Sequence, residues 1–95
     1  MSNKTARKSS NFSTKAKIRL LLRDGSNCVY CVKKITRNDD LTVDHIVPLV
    51  KGGSNEMDNL ALSCKHCNEE KGRLLLTEFI RAKELVMTRE LARFL

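Results

Sequence analysis

Four cysteines fall as two pairs of identical spacing, Cys28-x-x-Cys31 and Cys64-x-x-Cys67. A gap of two residues lets one short knuckle offer two thiolates to a single ion, and two such knuckles complete a tetrahedral shell. The pattern predicts a structural zinc ion held by Cys28, Cys31, Cys64 and Cys67, in preference to disulfides, which a reducing compartment disfavours. The other residues equipped for chemistry lie between or just after the pairs: Asp44 and His45, then Asn55, Asn59, His66 and Asn68. Histidine ordinarily changes protonation close to neutral pH and so can take up or give back a proton without much cost. Asn55, following Gly53-Ser54, reads as the start of an Asx-type turn. His66 falls inside a knuckle whose shell the four thiolates already close, which predicts an exposed side chain or a neighbour of phosphate.

The order of these residues carries more than any one of them. Asp44-His45-Ile46-Val47-Pro48-Leu49 is followed by Gly52-Gly53-Ser54-Asn55, by Asp58-Asn59-Leu60, and by Cys64-Lys65-His66-Cys67-Asn68 with Lys71-Gly72. This arrangement resembles the HNH endonuclease family over residues 28 to 72. The resemblance implies an α+β fold, a small ββα-metal domain of the His-Me finger kind, with the four-cysteine zinc site and flanking helices. It implies metal-dependent hydrolysis of DNA phosphodiester bonds, with His45 as general base. Asp44 and Asn68 would bind the catalytic cation, and Asn59 would position the loop that carries the base. Asn68 stands where the family's final histidine falls, making this an HNN variant. A carboxylate and an amide oxygen form a hard site suited to Mg²⁺ or Mn²⁺. Val32 occupies a position at which many members carry glycine. The competing expectation is a zinc-knuckle module that binds DNA or assembles with a partner and has lost the reaction.

Positioning these groups requires a few short elements. Residues 1 to 12 are polar and basic without an apolar period and predict a disordered arm, with Phe12 as its anchor. Residues 13 to 95 then form one domain. Ser13 can cap a helix from Thr14 to Arg23 whose apolar face is Ile18, Leu21 and Leu22 and whose basic stripe is Lys15, Arg19 and Arg23, ended by Gly25. Leu41 to Asp44 alternates as a strand with Leu41 and Val43 inward, and Asn59 to Leu62 supplies its hairpin partner. Lys65 to Lys71 predicts a short helix closed by Gly72, and Thr77 a cap for a helical region running to Leu95. In that last segment Phe79, Ile80, Leu85, Val86, Met87, Leu91, Phe94 and Leu95 share no single face. Either it breaks near Thr88, or more than one face is covered, for instance by a second copy or a phage protein partner.

Charge narrows the class of partner. The net formal charge is +7, and residues 1 to 23 hold Lys4, Arg7, Lys8, Lys15, Lys17, Arg19 and Arg23 without one acid. A basic segment on a balanced body is the footprint of a polyanion binder. Lys4, Arg7, Lys8, Lys15, Arg19 and Arg23, together with Lys71 and Arg73 at the end of the second helix, are the candidate DNA contacts. With 95 residues, four aromatics and no tryptophan, the core is thin enough that a metal staple is expected. Neither a secretory apolar segment nor a membrane-length apolar run is present in the sequence, which predicts a soluble cytoplasmic protein without a membrane partner. Compact chains of this kind resemble phage or mobile-element members of the family.

Overall fold

The computed structural model describes residues 12–93. Its centre is a two-stranded antiparallel sheet in which β1 (Leu41–His45) pairs with β2 (Leu60–Cys64), in a register that sets Val43 opposite Leu62 and Asp44 opposite Ala61. Alternation along a strand divides the sheet into two faces. Leu60 and Leu62 with Val43 look toward α1 (Thr14–Asp24), while Thr42 and Asp44 look toward α2 (Lys65–Lys71). All five residues of β2 are buried, because α1 crosses it, α2 leaves from its end, and the first cysteine knuckle runs along it, with the Val29 N–H donating to Leu62 O at 3.0 Å.

Helix α1 begins where Ser13 predicts, its Oγ accepting from the Ala16 N–H at 3.2 Å, and ends at Gly25, whose positive φ lets its N–H return to Leu21 O. The face it buries differs from the expected one. Leu20 is the fully buried residue, joining Val43, Leu60 and Leu62 in the core, with Leu21 and Phe12 packed at its margin, whereas Ile18 and Leu22 are exposed. Leu20 and Leu21 continue the line of Ala16 and Lys17 one turn earlier, and this line faces the sheet. The second strand starts one residue later than expected, at Leu60, because Asn59 closes a single 3-10 turn from Met57 to Asn59.

Helix α2 has the predicted limits. Its N-cap is Cys64, whose Sγ accepts from the Cys67 N–H at 3.4 Å. The last helix, α3 (Leu76–Ala92), departs from expectation at its start and in its course. Leu75 and not Thr77 precedes the first turn, and the N-terminal cap comes from Glu78, whose Oε1 accepts from the Leu75 N–H at 2.7 Å and also takes Lys51 Nζ at 2.9 Å. The helix does not break at Thr88, whose hydroxyl donates to Glu84 O one turn back. Phe79 is its one buried residue, and Ile80, Leu85, Val86, Met87 and Leu91 remain exposed among the described residues. No helix of the described residues is long and apolar enough to cross a membrane.

Candidate active site and metal cluster

The two knuckles meet at the Leu41/Cys64 end of the sheet, where Cys28, Cys64 and Cys67 are buried with Ile35. The four sulfurs lie within 4.8 Å of one another, and Cys31 Sγ is 3.9 Å from Cys64 Sγ. Tetrahedral thiolates about 2.3 Å from a zinc-sized ion stand about 3.8 Å apart, so the donor set and its spacing fit such a metal. Backbone N–H groups already point at the sulfurs: Tyr30 and Cys31 donate to Cys28 Sγ at 3.4 and 3.5 Å. Burial pushes the Cys28 thiol up, but hydrogen bonds from the N–H groups of Cys31, Cys64 and Tyr30 and from the Cys31 side chain bring it down to about 7. For Cys64 and Cys67 burial prevails and holds both thiols above the ordinary range. A divalent cation among the four would stabilise every thiolate at once. The turn that shapes the first knuckle runs through Val32, at φ 58°.

At the opposite end of β1 sit Asp44 and His45, 5% and 6% exposed. Asp44 Oδ2 receives the Tyr30 hydroxyl and stands 3.1 Å from Lys71 Nζ. The Lys71 ammonium, fully buried, also donates to His45 O at 3.0 Å, so α2 grips both residues of the Asp-His pair. Asp44 Oδ1 makes no hydrogen bond among the described residues. Asn68 is tethered in the same one-sided way. Its Nδ2 donates to Thr42 Oγ1 at 2.9 Å and to Val43 O at 3.4 Å, which leaves its Oδ1 without a partner in the described residues. Two hard oxygens are thus held on the α2 side of the sheet, one from Asp44 and one from Asn68, and their chemistry fits a small divalent cation.

His45 faces the other way. Its Nε2 lies 2.7 Å from Asn55 Oδ1, and the Phe12 ring packs against it with centroids 5.3 Å apart. An amide oxygen can only accept, so this contact selects the Nε2–H tautomer and leaves Nδ1 with its lone pair. Asn59 fastens the intervening loop: its Oδ1 accepts from the Val47 N–H at 2.9 Å while its Nδ2 donates to Val47 O at 3.0 Å and Ser54 O at 2.8 Å. Gly53 lies inside this clasp. A Cβ there would come 1.8 Å from Val47 O, so no other residue fits without moving the loop.

Sequence reasoning missed three parts of this arrangement. Asn55 was expected only to make a turn, and its partnership with His45 spans ten residues of loop. Tyr30 carried no signal beyond its place in a knuckle. Lys71 was expected at a phosphate, but its side chain is enclosed. Among the other expected DNA contacts, Lys15, Arg19 and Arg73 are exposed. Arg23 is held by Asp24 and by the carbonyls of Met57 and Leu60, both at 2.8 Å. Lys4, Arg7 and Lys8 lie outside the described residues. His66 is open to solvent, 4.0 Å from Glu70.

The comparisons with known proteins agree with this geometry. The family model described as HNH endonuclease matches residues 28–74, from the first cysteine to just beyond α2. Residues 28–74 belong to the HNH endonuclease family. A 51-residue stretch of the chain is also 39% identical to the CRISPR-associated endonuclease Cas9 of Corynebacterium diphtheriae, covering 53% of this chain and 5% of that protein. The HNH match takes in both knuckles, the hairpin and α2, and leaves α1 and all of α3 outside it.

Proposed function

We propose that this HNH domain is a metal-dependent DNA endonuclease, with zinc in the four-cysteine cluster and Mg²⁺ or Mn²⁺ at Asp44 and Asn68. In the reaction, His45 Nδ1 takes the proton of a water as its oxygen attacks phosphorus, and the P–O bond to the leaving sugar oxygen breaks. A divalent cation at the two oxygens, when bound, supplies the positive charge that stabilises the leaving oxygen. Asn55 holds the imidazole in the tautomer this transfer needs, and Asn59 holds the loop that carries Asn55. Lys15, Arg19 and Arg73, with Lys4, Arg7 and Lys8 of the N-terminal segment, contact the DNA backbone. A reducing cytoplasmic setting would keep the four thiols available to zinc.

One observation favours the competing reading of a DNA-binding or assembly module without catalysis: the Lys71 ammonium already neutralises Asp44, weakening its attraction for a second cation. Supercoiled plasmid distinguishes the two. The nuclease reading predicts nicked or linear product with Mg²⁺ or Mn²⁺ and none with chelator, and it predicts that Asn68→His moves the metal preference toward Ni²⁺, Co²⁺ or Zn²⁺. Retarded but uncut plasmid with every metal would establish the binding module instead.

A further inference from the structure

Tyr30 occupies an unusual place, inside one metal site and against the other. Its N–H donates to Cys28 Sγ at 3.4 Å, which ties its backbone to the cysteine cluster. Its ring is clamped by Phe79 of α3, edge-on with centroids 5.4 Å apart, and by Lys71, whose Nζ stands 5.9 Å from the ring centroid. Its hydroxyl donates to Asp44 Oδ2. The backbone and the ring are therefore held by groups other than Asp44, so the hydroxyl oxygen is placed beside the carboxylate without depending on it.

We infer that Tyr30 is a positioning residue through which the cysteine cluster sets the orientation of Asp44, turning Oδ1 outward toward the cation. The inference rests on the nuclease reading for its consequence in catalysis, but the contact itself concerns a cation at Asp44 whatever the reaction. Lys71 and Tyr30 share Oδ2 and leave Oδ1 as the ligand, so the carboxylate cannot present both oxygens to one ion. Removing the hydroxyl leaves Lys71 alone on Oδ2, so the carboxylate turns more freely about its Cβ–Cγ bond, and ordering it again must then be met out of the cation's binding energy. The loss falls on cation affinity and much less on the rate once the cation is bound.

The chain offers an unusually clean probe, because Tyr30 is its one tyrosine and it has no tryptophan. Emission from the zinc-loaded protein therefore reports on this contact alone among the phenol and indole side chains. Mg²⁺ titrated into the wild-type protein is expected to change tyrosine emission saturably, with the same half-saturation as plasmid cleavage, and Asp44→Asn is expected to abolish the response. Tyr30→Phe, which keeps the ring between Phe79 and Lys71, is expected to keep zinc content and far-UV dichroism, to raise the Mg²⁺ concentration for half-maximal cleavage about tenfold, and to leave the rate at saturating Mg²⁺ within about threefold. An unchanged Mg²⁺ dependence in a folded, zinc-loaded Tyr30→Phe protein overturns the inference. So does an emission response that survives Asp44→Asn, or a wild-type protein that cleaves without any response. If the wild-type protein does not cleave, the nuclease reading fails, and the emission arm still decides the role of Tyr30: an Asp44-dependent response supports it and a silent titration overturns it.

Discussion

Val32 adopts a φ of 58° with its branched side chain in solvent, in the turn that closes the first knuckle through its N–H to Cys28 O at 2.9 Å. An L-residue in this left-handed region costs about 1–2 kcal/mol, and a β-branched one is an outlier there. Val32→Gly is therefore expected to stabilise the fold by about 1 kcal/mol, after the greater freedom of glycine in the unfolded chain is counted, which denaturant titration would register. The sequence showed that valine stands at an unusual position, but only the backbone shows the strain. Lys71 teaches the complementary lesson. Lys71→Met keeps the volume but leaves Asp44 buried without its cation, and unpairing one member of a buried ion pair costs about 3–5 kcal/mol. Equilibrium unfolding of the zinc-loaded variant checks it; a loss below about 1 kcal/mol would mean that water replaces the ammonium. A lysine in the last turn of a short helix has the same sequence signature whether it serves a phosphate, the helix dipole or a carboxylate 27 residues earlier. Asn55 was hidden for the same reason, since its partner is fixed by how the loop folds back.

Elements were legible wherever a local signal set both ends. Helix α2 is bounded by a cysteine that caps and a glycine that stops, and its limits, Lys65–Lys71, could be read directly. Ser13 and Gly25 likewise framed α1, yet its buried face could not be found, because Leu20, Leu21 and Leu22 are consecutive and only the sheet decides which turns inward. In α3 the scatter of apolar residues reflects a helix that buries Phe79 and leaves its remaining hydrophobic residues uncovered in the described residues. The cysteine cluster joins these elements: Cys64 is at once the last residue of β2, the cap of α2 and one of the four sulfurs grouped closely enough to hold a metal. Cys64→Ser is therefore expected to unfold the protein and not merely to inactivate it, since structural zinc contributes on the order of 10 kcal/mol in small domains. Far-UV dichroism together with elemental analysis would show it; a folded variant lacking zinc would mean that the apolar core suffices.

Over the whole molecule, the charge asymmetry was plain in the sequence, and the basic cluster of residues 4 to 23 gives it a measurable consequence. Phe12 packs against the core and His45, so a deletion that spares this contact ends at residue 11. Deleting residues 1 to 11 removes Lys4, Arg7 and Lys8. If each neutralises a DNA phosphate, the slope of log K against log salt becomes shallower by about two to three units, with the cleavage rate at saturating protein nearly unchanged. An unaltered slope would make the segment a solubilising tail. The central claim, that this small metal-stapled domain cuts DNA with His45 as base, meets its most direct test in single-turnover cleavage of supercoiled plasmid in Mg²⁺ by the wild-type protein and His45→Ala. Each protein would first be shown to be folded and to carry one zinc. The account predicts a loss of about a hundredfold or more in the variant, whereas equal rates, or no cleavage by either protein, would contradict it.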